Sequence, residues 1–188
     1  MIYQPDSADD MLLLSVDIQE RLFPSMGDKA QRRILEGVEL LGLLSSIFKI
    51  PVLITEQYPK GLGPTLPAVE EHLPGATVLE KTTFDCMKDQ GIRDHISSSG
   101  KKTVLLAGME THVCVYQTAV SLVNDGYRVV PVTDVLSSRQ DMHWQWALES
   151  LAAQGCYPMP AETLAFYLLE RSGTPEFKRV SALLKSRN

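Results

Sequence analysis

The chain has 188 residues, 44% of them hydrophobic and 22% charged, with a formal net charge of −5. A chain of that length buries roughly 70% of the surface its unfolded form exposes, so one hydrophobic core can close without metals or disulfides. The acidic balance, with no concentrated basic patch, argues against nucleic acid as a partner, and apolar runs no longer than strands argue against a membrane-spanning helix.

The three cysteines, Cys86, Cys114 and Cys156, are far apart and form no CxxC pair, which argues against a disulfide framework. Met1-Ile2-Tyr3-Gln4-Pro5-Asp6 lacks the basic and apolar pattern of a secretion signal. A reducing, cytoplasmic setting is therefore expected, with at most one thiol functional and the others buried or inert.

The first predicted element is a buried strand over Met11–Val16, ending at Asp17. Asp28 is placed to cap the helix that follows, in which Ile34, Leu35, Val38, Leu41 and Ile47 recur at helical spacing. A second strand covers residues 52–55. Residues 56–74 carry Pro59, Gly61, Gly63, Pro64, Pro67 and Pro74, a density that predicts a long, irregular, shaped loop. A third strand over residues 77–79 stops just before Lys81, and a helix over residues 88–98 ends at Gly100. The fourth strand, residues 103–107, runs through Gly108 into a helix over residues 111–124. A fifth strand at residues 129–132, a helix at 142–153, a weak sixth strand at 156–159 and two C-terminal helical segments complete the pattern. Strands alternating with helices imply right-handed βαβ units and a parallel sheet. The expected architecture is one three-layer α/β/α sandwich spanning residues 1–188.

In such a sheet ligands bind beyond the carboxyl ends of the strands. Asp17, Lys81 and Cys114 all follow strand ends, so a carboxylate, an ammonium and a thiol share one edge. A free cysteine is most often a small buried packing residue. Cys114, however, lies in a strand–turn–helix segment, where helix N-terminal N–H groups can stabilise a thiolate or an oxyanion. Asp17 reads equally as a loop anchor or as an acid/base, and Lys81 alone reads as a solvated surface lysine.

Val16-Asp17-Ile18-Gln19, Lys81-Thr82-Thr83-Phe84 and Gly108-Met109-Glu110-Thr111-His112-Val113-Cys114-Val115 resemble, in order and spacing, three signatures of the isochorismatase-like cysteine hydrolases. That group includes nicotinamidases and N-carbamoylsarcosine amidohydrolases. Residues 55–65 and 132–139 are similar to its isochorismatase domain-containing subgroup. The resemblance implies a mostly parallel six-stranded sheet of order 3-2-1-4-5-6 and a catalytic triad of Asp17, Lys81 and Cys114. It implies a cis peptide at Met109–Glu110 and an oxyanion hole formed by the N–H groups of Glu110 and Cys114. It further implies attack on a small amide, carbamoyl compound or ester through a thioester, no cofactor, and a homo-oligomer.

Metal-dependent nicotinamidases carry Asp-x-His after the second strand. Here that region reads Glu56-Gln57-Tyr58-Pro59-Lys60, so no catalytic metal is expected. Phe23, Tyr58, Phe84 and Tyr116 are candidate pocket walls, although each aromatic is more often core. Gln19 and Gln57 are candidate polar contacts to substrate. His112, two residues from Cys114, does not share its helical face and reads as structural or surface. A tyrosine-phosphatase loop would need an arginine where Val120 stands, and a glutaminase-type triad would need a late histidine beside a strand, whereas His143 lies in a predicted helix. The rival from another class is a non-catalytic binding or scaffold protein that kept the fold, distinguished by whether Cys114 reacts with a small electrophile.

Overall fold

All six residues of strand β1, Met11–Val16, are buried, as a strand covered on both faces requires. The computed structural model describes residues 7–187. Met1–Asp6, read above as lacking a secretion signal, lie outside the described residues.

After β1 come α1 (Asp28–Phe48), β2 (Val52–Gln57), α2 (Pro59–Leu62), α3 (Pro67–His72), β3 (Thr77–Lys81), α4 (Gln90–Ser98) and β4 (Thr103–Met109). A π-helical turn, Thr111–Val115, leads into α5 (Tyr116–Asn124), followed by β5 (Arg128–Ser137), α6 (Asp141–Ala153), α7 (Ala161–Leu169) and α8 (Pro175–Lys185).

The five strands pair in the order β3-β2-β1-β4-β5, all parallel. Their alternating faces feed two apolar clusters. Met11 and Leu13 of β1 pack with Ile34, Val38 and Leu41 of α1 and Leu164 of α7. Leu12, Leu14 and Val16 pack with Ile92 and Ile96 of α4, Leu122 of α5 and Leu151 of α6. The result is a three-layer α/β/α arrangement.

Three expectations need correction. The sixth strand at residues 156–159 is reduced to one isolated parallel bridge, Val132 with Met159. The N–H groups of Tyr157 and Met159 donate to Val129 and Pro131 of β5 at 2.9 and 3.1 Å. Pro158 and Pro160 have no N–H to offer a further strand, so the segment closes the sheet edge without extending the sheet. Residues 56–74 are less irregular than their proline content suggested. Pro59 and Pro67 open α2 and α3, at the first helical position, where a missing N–H costs nothing. Asp28 is the first residue of α1, whose N-cap is Gly27, with no side-chain cap.

Gly108 has φ +117°, and a side chain there would run into the carbonyl of Val16. Glycine lets β4 press against β1 at the edge where the expected site lies.

Candidate active site

The chain leaves β1 by a sharp turn at Asp17, whose φ is +55°. Aspartate is among the few non-glycine residues that visit this region, and such strain tends to persist where the surroundings hold it for function. The Asp17 N–H donates to the Thr55 carbonyl at 3.0 Å and the Asp17 carbonyl accepts from the Gln19 N–H at 2.9 Å. The turn aims the carboxylate across the end of β2. Lys81 is the last residue of β3, two strands from β1, and its long stem spans the gap. Its Nζ donates to Asp17 Oδ2 at 2.6 Å, with both side chains fully buried. Thr55 of β2, between them, donates to Asp17 Oδ1 at 2.8 Å.

Cys114 lies in the π-helical turn after β4 and is 6% exposed. Its thiol interacts with the Asp17 carboxylate and feels the charges of Asp17 and Lys81. The structure therefore brings together the three side chains that the resemblance singled out. The Met109–Glu110 peptide ahead of the turn is cis. The Glu110 carbonyl accepts from the N–H groups of Val113 and Val115 at 3.0 and 3.3 Å, and among the described residues the Glu110 N–H has no hydrogen-bond partner.

Burial sets the proton affinities. It raises the Asp17 carboxyl above the usual carboxylate range, opposed by the charge of Lys81 and by hydrogen bonds from Lys81, Thr55 and Cys114. Burial alone would lower Lys81, but Asp17, Cys86 and Cys114 outweigh it and hold the ammonium above the usual lysine range. Burial, then the charge of Asp17, pushes the Cys114 thiol up against the pull of Lys81. Both influences work against the thiolate that a helix terminus can stabilise.

The remaining candidates have separate places. Gln57 Oε1 accepts from Lys81 Nζ at 2.7 Å. Gln19 is fully buried and its amide is spent on backbone: Nε2 donates to the carbonyls of Gln57 and Gly63, and Oε1 accepts from the Gln57 N–H. Phe23 is in the core with Met26 and Ile34. Tyr116 stacks on Trp146 at 5.3 Å and pairs with Ser150. Tyr58 and Phe84 are exposed. Tyr58 joins Pro59, Lys60, Lys81, Thr82 and Asp89 around a cleft of about 370 Å³. A larger groove of about 900 Å³, lined by Asp134, Phe166 and Tyr167 among others, shares no residue with Asp17, Lys81 or Cys114. His112 bonds Ser138 at 2.9 Å and lies against His143.

Sequence reasoning missed Thr55 and Cys86. Thr55 is the first polar residue of β2, after Val52, Leu53 and Ile54, a signal that was present but not used. Cys86 Sγ lies 3.9 Å from Thr55 Oγ1, and burial pushes its thiol up to about 11. It also missed Glu110 Oε1, which accepts from both the N–H and the Nε of Arg139. Among the described residues no group of three or more His, Cys, Asp or Glu could hold a metal ion. Glu56 Oε1 accepts from the N–H and the hydroxyl of Thr65.

Residues 11–163 match the isochorismatase domain family. The chain belongs to the isochorismatase family. Members of this family are generally cysteine hydrolases. Isochorismatase domain-containing protein 1 of Danio rerio is 37% identical over 175 residues, a match that takes in 90% of this chain but 59% of that protein. The structure of MAR1 ribonuclease from Caenorhabditis elegans superimposes with a TM-score of 0.87 at 31% identity, covering 96% of this chain and 92% of that one. The YcaC gene product of Escherichia coli, described as an octameric hydrolase of unknown specificity, shares the isochorismatase fold with a TM-score of 0.86 at 21% identity and full coverage of both chains.

Proposed function

We propose that this chain is a metal-independent cysteine hydrolase that cleaves a small amide, carbamoyl compound or ester, with Cys114 as nucleophile, Asp17 as acid/base and Lys81 as the charge that couples them. The observation that carries this reading is the fully buried Lys81–Asp17 pair at 2.6 Å with the Cys114 thiol against it. An ion pair shut away from water is costly to maintain, and a nucleophile beside it gives the pair a chemical use.

Asp17, its proton affinity raised by burial, takes the thiol proton as sulfur bonds to the carbonyl carbon. Lys81 stabilises the negative charge while it moves from oxygen to sulfur. The tetrahedral oxyanion is held by the N–H groups of Glu110 and Cys114. Collapse breaks the bond to nitrogen or oxygen, and Asp17 returns the proton to that leaving group. A water that gives its proton to Asp17 then attacks the thioester. The acid product leaves, and sulfur recovers the proton from Asp17.

The deciding test is a panel of small amides, carbamoyl compounds and esters, run with wild type and Cys114→Ala and followed by intact mass. The expected result is turnover with an acyl adduct on Cys114, and no turnover in a folded Cys114→Ala variant. Equal turnover by both proteins overturns the reading. RNA belongs in the same panel, because one neighbour is described as a ribonuclease.

The hydrolase works as a homo-oligomer in the cytoplasm. Phe166 and Tyr167 of α7 are 47% and 45% exposed beside the 900 Å³ groove, and a second copy of the chain covers them. The octameric neighbour supports this, and light scattering on a chromatography column tests it. Three free cysteines suit a reducing compartment. Among the described residues, no helix is long and apolar enough to cross a membrane.

A further inference from the structure

We infer that Gln57 is a positioning residue for the reaction, its side-chain oxygen holding the Lys81 ammonium in place between two strands. This rests on the hydrolase reading above.

The Lys81 ammonium has three protons. One is bonded to Asp17 Oδ2 at 2.6 Å and a second to Gln57 Oε1 at 2.7 Å. The orientation of the Gln57 amide is fixed by its other end, because Nε2 donates to the Thr82 carbonyl at 3.0 Å. Reversing the amide would set NH2 against ammonium and oxygen against oxygen.

Gln57 is itself held. The fully buried Gln19 accepts from the Gln57 N–H at 2.8 Å and donates to the Gln57 carbonyl at 3.1 Å, while the same amide ties the Gly63 carbonyl at 2.6 Å. Position is thus passed from Gln19 to Gln57 to Lys81 to Asp17 through bonded atoms, each member fixing the next. The sequence suggested that both glutamines contact substrate. In the structure Gln57 faces the ammonium and Gln19 faces only backbone.

A neutral acceptor suits this place. The groups facing Lys81 are Asp17 after β1, Gln57 on β2, Cys86 beyond β3 and Cys114 beyond β4. A carboxylate at position 57 would compete with Asp17 for the ammonium. An apolar group would leave a buried N–H unpaired, a substantial penalty for a charged donor. The amide fixes the ammonium without drawing charge from the pair that moves the proton.

The test compares wild type, Gln57→Met, Gln57→Glu and Cys114→Ala in the hydrolysis of 4-nitrophenyl acetate across pH, with thermal melting as the check on folding. Gln57→Met should lower plateau kcat about 10- to 100-fold, leave KM within about twofold and move the acid limb of the profile upward, since a loosened ammonium no longer favours ionised Asp17. Gln57→Glu keeps an acceptor oxygen and adds a negative charge. It should recover only part of plateau kcat at high pH, because its carboxylate competes with Asp17 for the ammonium, while its acid limb also lies above that of wild type. If Gln57→Met does not fold, an acid limb in Gln57→Glu identical to wild type overturns the role. So does a folded Gln57→Met that matches wild type or changes KM alone. If wild type is no faster than Cys114→Ala, the hydrolase reading itself falls and takes this role with it. An active wild type beside an unaltered Gln57→Met removes only the role of Gln57.

Discussion

Replacing Lys81 with methionine keeps the length of the stem and removes the charge that pairs with Asp17. The carboxylate is then left in a fully buried site with Thr55 as its remaining side-chain donor among the oxygen and nitrogen groups. If it stayed ionised, the loss would be about 3–5 kcal/mol at every pH, as for other buried pairs broken on one side. Asp17 has a way out, because burial already raises its proton affinity and Lys81 is the chief opposing influence. Without the ammonium its pKa rises further. A carboxyl whose folded pKa lies above its unfolded value contributes stability below the unfolded value and loses it as pH climbs through the folded one. Against wild type, whose Asp17 is itself raised, the penalty in Lys81→Met is absent at acid pH, opens above the wild-type carboxyl value and grows by up to about 1.4 kcal/mol per pH unit. The resulting ceiling at pH 7 is about 4 kcal/mol. Urea denaturation of wild type, Lys81→Met and Asp17→Asn/Lys81→Met at pH 5, 6 and 7 reads this directly. The single variant should fall further behind at each step, whereas the double variant, with nothing left to titrate, should show no such slope. A pH-independent loss in the single variant, or the same slope in the double, would refute the reasoning.

Thr55→Val removes the 2.8 Å bond to Asp17 Oδ1. It should move the acid limb of kcat/KM upward and cost about 1–2 kcal/mol of stability, and an unmoved limb in a folded variant counts against Asp17 as the base. Gly108→Ala places a side chain against the Val16 carbonyl at φ +117° and should lower stability by about 2 kcal/mol or more, measurable as a fall in Tm. Alkylation of Cys114 by iodoacetamide should keep accelerating through pH 9, because burial and Asp17 raise its thiol. A plateau below pH 8 would mean the resting sulfur is a thiolate.

Most of the fold was legible because its signals are local. Met11–Val16 was placed to the residue, since five apolar positions in a run of six, bounded by polar neighbours, fit little else than a buried strand. What failed depended on partners distant in the chain. Strand status at residues 156–159 turned on which side of the segment its prolines faced, a property of the sheet edge. The loop prolines turned from breakers into helix starters once Leu66 and Tyr58 took the N-cap positions. At the site, Asp17, Lys81 and Cys114 were legible as three motifs with chemistry-bearing residues after strand ends. Gln57 was legible as a polar residue near them, but its partner was not, because Lys81 lies 24 positions away and only the pairing of β2 with β3 sets them side by side. The extent to which burial raises the thiol was not legible for the same reason: desolvation is set by what packs around the sulfur.

Asp17 and Lys81 stand 64 positions apart, on strands that are not neighbours, and the sulfur comes from beyond β4, on the opposite flank of β1. No contiguous fragment short of most of the chain carries all three. Two halves cut near Gly100 would each be chemically silent, and rejoining them would restore a reactive sulfur only if β4 zipped onto β1 in register. On the proposed reading, turnover gauges the protein's own assembly and is extinguished when the central strands part, even if every helix survives.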